Sequence, residues 1–300
     1  GVREDAEGTS RAEARIMEPL AGIEARHPVN LSGWRGGLYV AGNDVGLDQV
    51  PFEAAAAPEA GSVFLGVSGL SIWDAVCRRY ESAGVLPYVI ATDIDPNMAE
   101  IHGTVSANIA NYTREQMRQA IKGLIERRIA PMIQSFKDAL GPDYAGQTVI
   151  KLKWLNNDAD YEFVRRVVAG GRFSFLNMDL RDTGAVGELK EWMARSGLHL
   201  DLMSLSNAWD GTWIDYGLPK GQKGGEAMRS NLAMLDPRFL LVSEKQEPGQ
   251  WPVLFLTTPE RFLSYWSRGT DEPFRAEART ESGKPPTGIT TDRVEGWFSW

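Results

Sequence analysis

From Val63 onward the chain alternates short apolar runs with amphipathic stretches, and this alternation restricts its fold more than any other feature. Runs at 63–67, 87–92, 172–177, 199–205, 238–244 and 252–257 are rich in β-branched, aromatic and other apolar residues and read as strands. Helical spacing occupies 71–83, a long region from Asn97 to about Leu140 broken near Pro131, and 184–196, 225–235 and 258–267. "TVIKLKWL" at 148–155 reads as one more strand, and "DYEFVRRVVAG" after it as a helix closed by glycine. Strands alternating with helices predict an α/β chain. Its sheet should be mostly parallel and doubly wound, with right-handed crossovers.

The flanks are less periodic. Residues 10–26 carry helical spacing interrupted at Pro19. A Gly- and Pro-rich loop follows, with one short strand expected at 38–41. The 268–294 stretch is polar and reads as loop, and the closing "GWFSW" reads as an edge strand. The expected organisation is a cap segment over 1–60, a main domain over 61–267 with an insert at about 104–170, and a C-terminal loop and edge strand over 268–300. No internal repeat is present.

Composition narrows the function. A net charge of −8 and the lack of any basic run of five argue against nucleic acid or an anionic membrane as partner. A single cysteine excludes an intramolecular disulfide and a cysteine-based zinc cluster, and Cys77 in "DAVCRRY" reads as a buried thiol. His27, His102 and His199 lack metal-ligand spacing and read as structural, so no metal is expected. No apolar stretch of about 18 residues and no signal peptide appear, which makes the cytoplasm the expected location.

In open α/β sheets ligands sit outside the carboxyl ends of the strands. Polar clusters fall at those points. "GVSG" (66–69) follows the first strand, and "DIDPN" with Asp93 and Asp95 follows the second. "MDLRD" with Asp179 and Asp182, "SLSNAWDGTW" and "EKQE" follow the next three. A dinucleotide needs its pyrophosphate on a helix N-terminus beside several glycines. Here only Gly66 and Gly69 are available, with bulky Leu70 and Trp73 after them. S-adenosylmethionine carries no phosphate, and its sulfonium favours carboxylates, carbonyls and aromatic faces. Acidic strand ends and ten tryptophans suit that ligand better. The bland readings are a tight turn at Gly66 and Gly69, and helix caps at Asp95 and Asp182. Asn156 and Asn157 read as capping amides or substrate contacts. Trp209 and Trp213 read as core or as pocket wall.

"VFLGVSG", "VIATDIDPNM", "FLNMDLRD", "DLMSLSNAW" and "AMRSNLAMLDPRFLLVSE", in that order, resemble the successive signatures of the class I S-adenosylmethionine-dependent methyltransferases. The resemblance covers about residues 62–257. It implies a Rossmann-like fold with an N-terminal helical lid and a long insert between the second and third strands. It also implies S-adenosylmethionine as cosubstrate or sole substrate, with a small-molecule acceptor in biosynthesis. Gly66, Val67, Ser68 and Gly69 would line the methionine part. Asp93 would take the ribose hydroxyls, with Ile94 beside the adenine. Asp179 and Leu180 would face the adenine ring, and Ser206, Asn207 and Ala208 would lie near the sulfonium. Two departures stand out: Leu65 occupies the position where an acid is usual, and the 104–170 insert exceeds a single helix.

The implied activity is most simply methyl transfer, for which no general base is evident. The layout also looks like that of azetidine-2-carboxylate synthases. In those, the donor's own amine displaces the sulfonium and methylthioadenosine is released. A catalytically silent fold relative acting as a binding subunit is the reading from another class, and a nicotinamide dehydrogenase is a further enzyme reading.

Overall fold

The computed structural model describes residues 12–30, 40–42, 44, 46–67, 69–206, 208, 209, 214–244 and 253–267. Residues 12–17 are helical, and α1 (Leu20–Arg26) follows directly. Pro19 stands at its N-cap, where a missing N–H costs nothing. The main domain then runs β1 (Ser62–Val67), α2 (Ile72–Val76), a π-helical turn (Cys77–Glu81) and β2 (Tyr88–Asp93). Helices α3 (Met98–Asn108), α4 (Arg114–Ile129), α5 (Gln134–Leu140), α6 (Tyr144–Lys151) and α7 (Asp158–Ala169) fill the crossover to β3 (Phe173–Asn177). After it come α8 (Thr183–Arg195), β4 (His199–Ser206), α9 (Gly225–Leu235), β5 (Phe239–Glu244), β6 (Val253–Thr257) and α10 (Pro259–Ser267).

The six strands form one sheet in the order β3-β2-β1-β4-β5-β6. All pairings are parallel except β5 with β6. This is a Rossmann-like α/β fold, and its strand order reverses between β1 and β4.

The strands read as continuous apolar runs because both faces are covered. Successive side chains alternate sides. Phe64, Val89, Ala91, Leu202 and Leu241 pack with residues of α2, α3, α4, α6 and α7. Val63, Leu65, Ile90, Met203 and Val242 pack on the other face with α1, α8, α9 and α10.

Three expectations need correction. "TVIKLKWL" is not a strand: it is the second half of α6 followed by a 3₁₀ turn at Lys153–Leu155. Ala145, Thr148, Val149 and Leu152 share one buried face at helical spacing, while Ile150 is 57% exposed. The Asn156 amide donates to the carbonyls of Val149, Ile150 and Leu152 at 3.2, 3.0 and 2.8 Å, which satisfies the helix end. The helix expected over 71–83 is α-helical only to Val76 and then widens to the π-turn. Gly66 and Val67 close β1, as the strand expected over 63–67 has it. The strand expected at 38–41 falls partly on residues outside the described ones, and Val40 and Ala41 form a bend. "GWFSW" lies outside the described residues.

Two register shifts interrupt β4. Between Val63 and Phe64 of β1 the partner steps from Leu200 to Leu202, which leaves Asp201 as the extra residue. Asp201 is fully buried and accepts from Arg79 Nε at 3.0 Å, Arg79 Nη2 at 2.9 Å and the Tyr80 hydroxyl at 2.9 Å. Against β5 the register jumps from Ser204 to Ser206, and Ser206 takes a left-handed backbone with φ of 51°. Bulges re-aim side chains, and the second one does so at the carboxyl end of β4.

Candidate functional site

The carboxyl ends of β1 and β4 flank the point where the strand order reverses, which is where open α/β sheets bind ligands. At the end of β1, Gly66 and Gly69 are buried. A Cβ on Gly66 would stand 2.6 Å from Phe64 Cε1 and 3.0 Å from Ile72 Cγ2. The protein's own side chains therefore occupy that side of Gly66, so the tight-turn reading accounts for this glycine. Ser68 lies outside the described residues. Val67 is half-buried, and Leu70 and Trp73 are fully buried. Trp73 packs at 5.1 Å between ring centroids on Phe173, in the core.

Asp93 is the last residue of β2, opposite Asn177 of β3. Its Oδ1 accepts from Asp95 N at 2.9 Å, which fixes the carboxylate at the strand end. Ile94 beside it is half-buried. Asp95 is fully buried and accepts from Asn97 N at 2.9 Å and Asn97 Nδ2 at 2.8 Å, so it serves the first turn of α3. Asn177 N donates to Glu24 Oε2 at 3.0 Å, which brings a carboxylate of α1 to the same edge. Arg26 and His27 hold α1 against α8 through Glu188, whose carboxyl they pull down to about 2.

At the end of β3, Asp179 accepts from Arg181 Nε and Nη2, both at 2.8 Å. Arg181 Nη1 also donates to the Ile214 and Tyr216 carbonyls at 2.9 and 2.8 Å. Asp179 thus fastens the loop that leads into α9. Leu180 is buried in the core beside α8 and α9. Asp182 caps α8 by accepting from Ala185 N at 3.1 Å. Asn157 caps α7 in the same way, accepting from Ala159 N at 2.8 Å. Trp209 is buried, and its indole N–H donates to the Ser243 carbonyl at 3.1 Å. Asn207 and Trp213 lie outside the described residues.

Asp44 escapes a search of the strand ends. Val40 and Gly42 lie against the turn after β1: Leu70 N donates to Val40 O at 2.7 Å, and Gly42 N to Ser71 Oγ at 2.9 Å. Asp44 then reaches the ends of β4 and β5. Its Oδ2 accepts from the Ser206 hydroxyl, and its Oδ1 from the Ser243 hydroxyl at 2.6 Å. Burial pushes the Asp44 carboxyl up, and the two hydroxyl donors oppose that shift. Asp44 sits in a Gly-rich loop with no periodicity, so its only sequence signal is an isolated acid.

Elsewhere in the domain, Cys77, Glu81 and Asp160 bring one donor atom each within 4.8 Å of one another. Burial drives the Cys77 thiol far up, so it is held as the thiol, and its Sγ–H points to the Asp160 carbonyl at 3.7 Å. That makes it a poor metal ligand. Among the described residues no helix is long and apolar enough to cross a membrane.

A family model described as "Domain of unknown function (DUF7790)" matches residues 95–235, just under half of the chain. No curated protein matches. Among solved structures, the rRNA methyltransferase aviRa from Streptomyces viridochromogenes is similar over 66% of this chain and 70% of its own. The identity is 15% and the TM-score 0.35.

Proposed function

We propose that this chain is an enzyme that binds S-adenosylmethionine at the carboxyl ends of β1, β2 and β4 and transfers its methyl group to a small molecule. One observation carries the reading. Carboxylates stand on both sides of the turn after β1: Asp93 closes β2, and Asp44 bridges the ends of β4 and β5. Such a site suits a cationic ligand with a ribose diol. It suits a pyrophosphate poorly. The helix after the turn has only five α-helical residues, too short to offer a phosphate much of a helix N-terminus.

In this reading Asp93 accepts from the ribose hydroxyls, with Ile94 beside the adenine. The backbone at Val67 and Gly69 carries the methionine end. Ser206 lies toward the sulfonium, and Leu180 bounds the adenine side, where Asp179 works through Arg181. The bound donor supplies an electrophilic methyl, and the chain's own residues align it and exclude water.

Calorimetry with S-adenosylmethionine should show binding that Asp93→Ala weakens at least tenfold, the loss of a charge-assisted contact to the diol. No binding to the purified protein at millimolar ligand would sink the proposal. Chromatography of the nucleoside product then separates the chemistries. Methyl transfer gives adenosylhomocysteine only with an acceptor present. Cyclisation of the aminobutyrate part gives methylthioadenosine from S-adenosylmethionine alone.

A further inference from the structure

Asp44 is out of keeping with its surroundings. A carboxylate taken out of water needs a compensating charge or a full set of hydrogen bonds. Its two oxygens are met by neutral hydroxyls, Ser206 from β4 and Ser243 from β5, and among the described residues no cation pairs with it. The chain also bends its backbone to make this arrangement. Ser206 is a non-glycine residue at φ 51°, placed beyond a register shift between β4 and β5. Strain of this kind collects at functional sites. Two residues upstream, Gly42 N donates to Ser71 Oγ, and Val40 O accepts from Leu70 N, so the approach to Asp44 is fastened beside the turn after β1.

We infer that Asp44 is a binding residue whose carboxylate, held by Ser206 and Ser243, recognises the sulfonium charge of S-adenosylmethionine and so separates the donor from its neutral thioether product. This rests on the S-adenosylmethionine reading above and deepens it. Burial raises the carboxyl, the Ser206 and Ser243 hydroxyls favour its charged form against that shift, and an ion pair strengthens as water is removed. A neutral sulfur gains nothing from that charge. Loss of the methyl therefore weakens the product's hold on the site and favours its release.

The test compares S-adenosylmethionine and S-adenosylhomocysteine by calorimetry on the full chain and on Asp44→Asn. The two ligands share adenine, ribose and amino-acid tail and differ in the charge on sulfur. The unmodified protein should prefer S-adenosylmethionine. Asp44→Asn should weaken that ligand about tenfold or more, the change expected for one lost charge-assisted contact, and leave S-adenosylhomocysteine within about threefold. Equal loss for both ligands, or no loss for either, would assign Asp44 a structural role and overturn the inference. An unmodified protein that binds the two ligands equally overturns it without any variant. If the unmodified protein binds neither, the S-adenosylmethionine reading itself falls.

Discussion

Ionising Asp74 should loosen the crossover helices from the sheet, and the size of the effect follows from its surroundings. Asp74 lies in the first turn of α2 and is 8% exposed. It accepts from Trp154 N at 2.7 Å and from Lys153 N at 3.3 Å, which ties the 3₁₀ turn after α6 to the helix after β1. Trp154 adds its indole N–H to the Leu70 carbonyl at 3.1 Å. Burial pushes the Asp74 carboxyl up to about 7, against the two backbone donors and the Lys153 charge that pull it down. The folded carboxyl therefore lies above its unfolded value of about 3.9. Between those values the folded state holds the proton and the unfolded state does not. The stabilising contribution is fully present below about pH 4 and is lost as pH rises through about 7. At about 1.4 kcal/mol per unit, the three-unit interval amounts to a loss on the order of 4 kcal/mol.

The assay is urea unfolding of the wild type and Asp74→Asn between pH 5 and pH 8. Asparagine retains one acceptor for Trp154 N and presents an amide N–H₂ to Lys153 N, so the variant should be less stable at pH 5 by about 1–2 kcal/mol. Its stability should fall less with pH, and the gap should close or invert by pH 8. Glu81 is also pushed up to about 7, through burial and the nearby Asp160, and it acts on both proteins, so the difference between them isolates Asp74. A gap that stays constant across the range would show that Asp74 is charged throughout and would refute the reasoning.

Two further changes probe the sheet. Gly66→Ala places a methyl 2.6 Å from Phe64 Cε1 and should cost about 1–3 kcal/mol in thermal unfolding, as overpacking does; an unchanged midpoint would return this glycine to the ligand. Asp201→Ala strips the buried Arg79 of its partner and should cost about 3–5 kcal/mol in urea unfolding, whereas a loss under 1 kcal/mol would mean that water replaces the carboxylate.

The sheet was legible because parallel strands covered on both faces must be apolar along their whole length. Six expected runs became strands within about a residue at each end. "TVIKLKWL" misled for a related reason. Its β-branched residues favour extended backbone locally, but Ala145 lies just upstream of the run. Only with that residue does the period of 145, 148, 149 and 152 come into view. Packing against α4 and the capping amide of Asn156 then outweigh the local preference. The π-turn at 77–81 has no comparable signal, since its residues satisfy helical spacing equally well.

The site divides along the same line. The places of Asp93, Asp179 and Ser206 at or just after strand ends were legible, because strand ends can be found from the strands. Asp44 was not, because its place depends on contacts with residues 162 and 199 positions away. Gly66 shows the converse: a glycine at a strand end is visible in a sequence, but what fills the missing Cβ is not. Here Phe64 and Ile72 fill it, so the glycine reports close packing of the protein on itself. Ligand chemistry must then come from groups that the packing leaves at the strand ends. Those groups include Asp93, Asp44, Ser206 and Ser243, and Asp44 arrives from outside the sheet. Acids and hydroxyls of this kind favour positive charge on a ligand. On the proposed reading, the charge on sulfur, rather than the adenine that both nucleosides share, is therefore the property on which the site should discriminate.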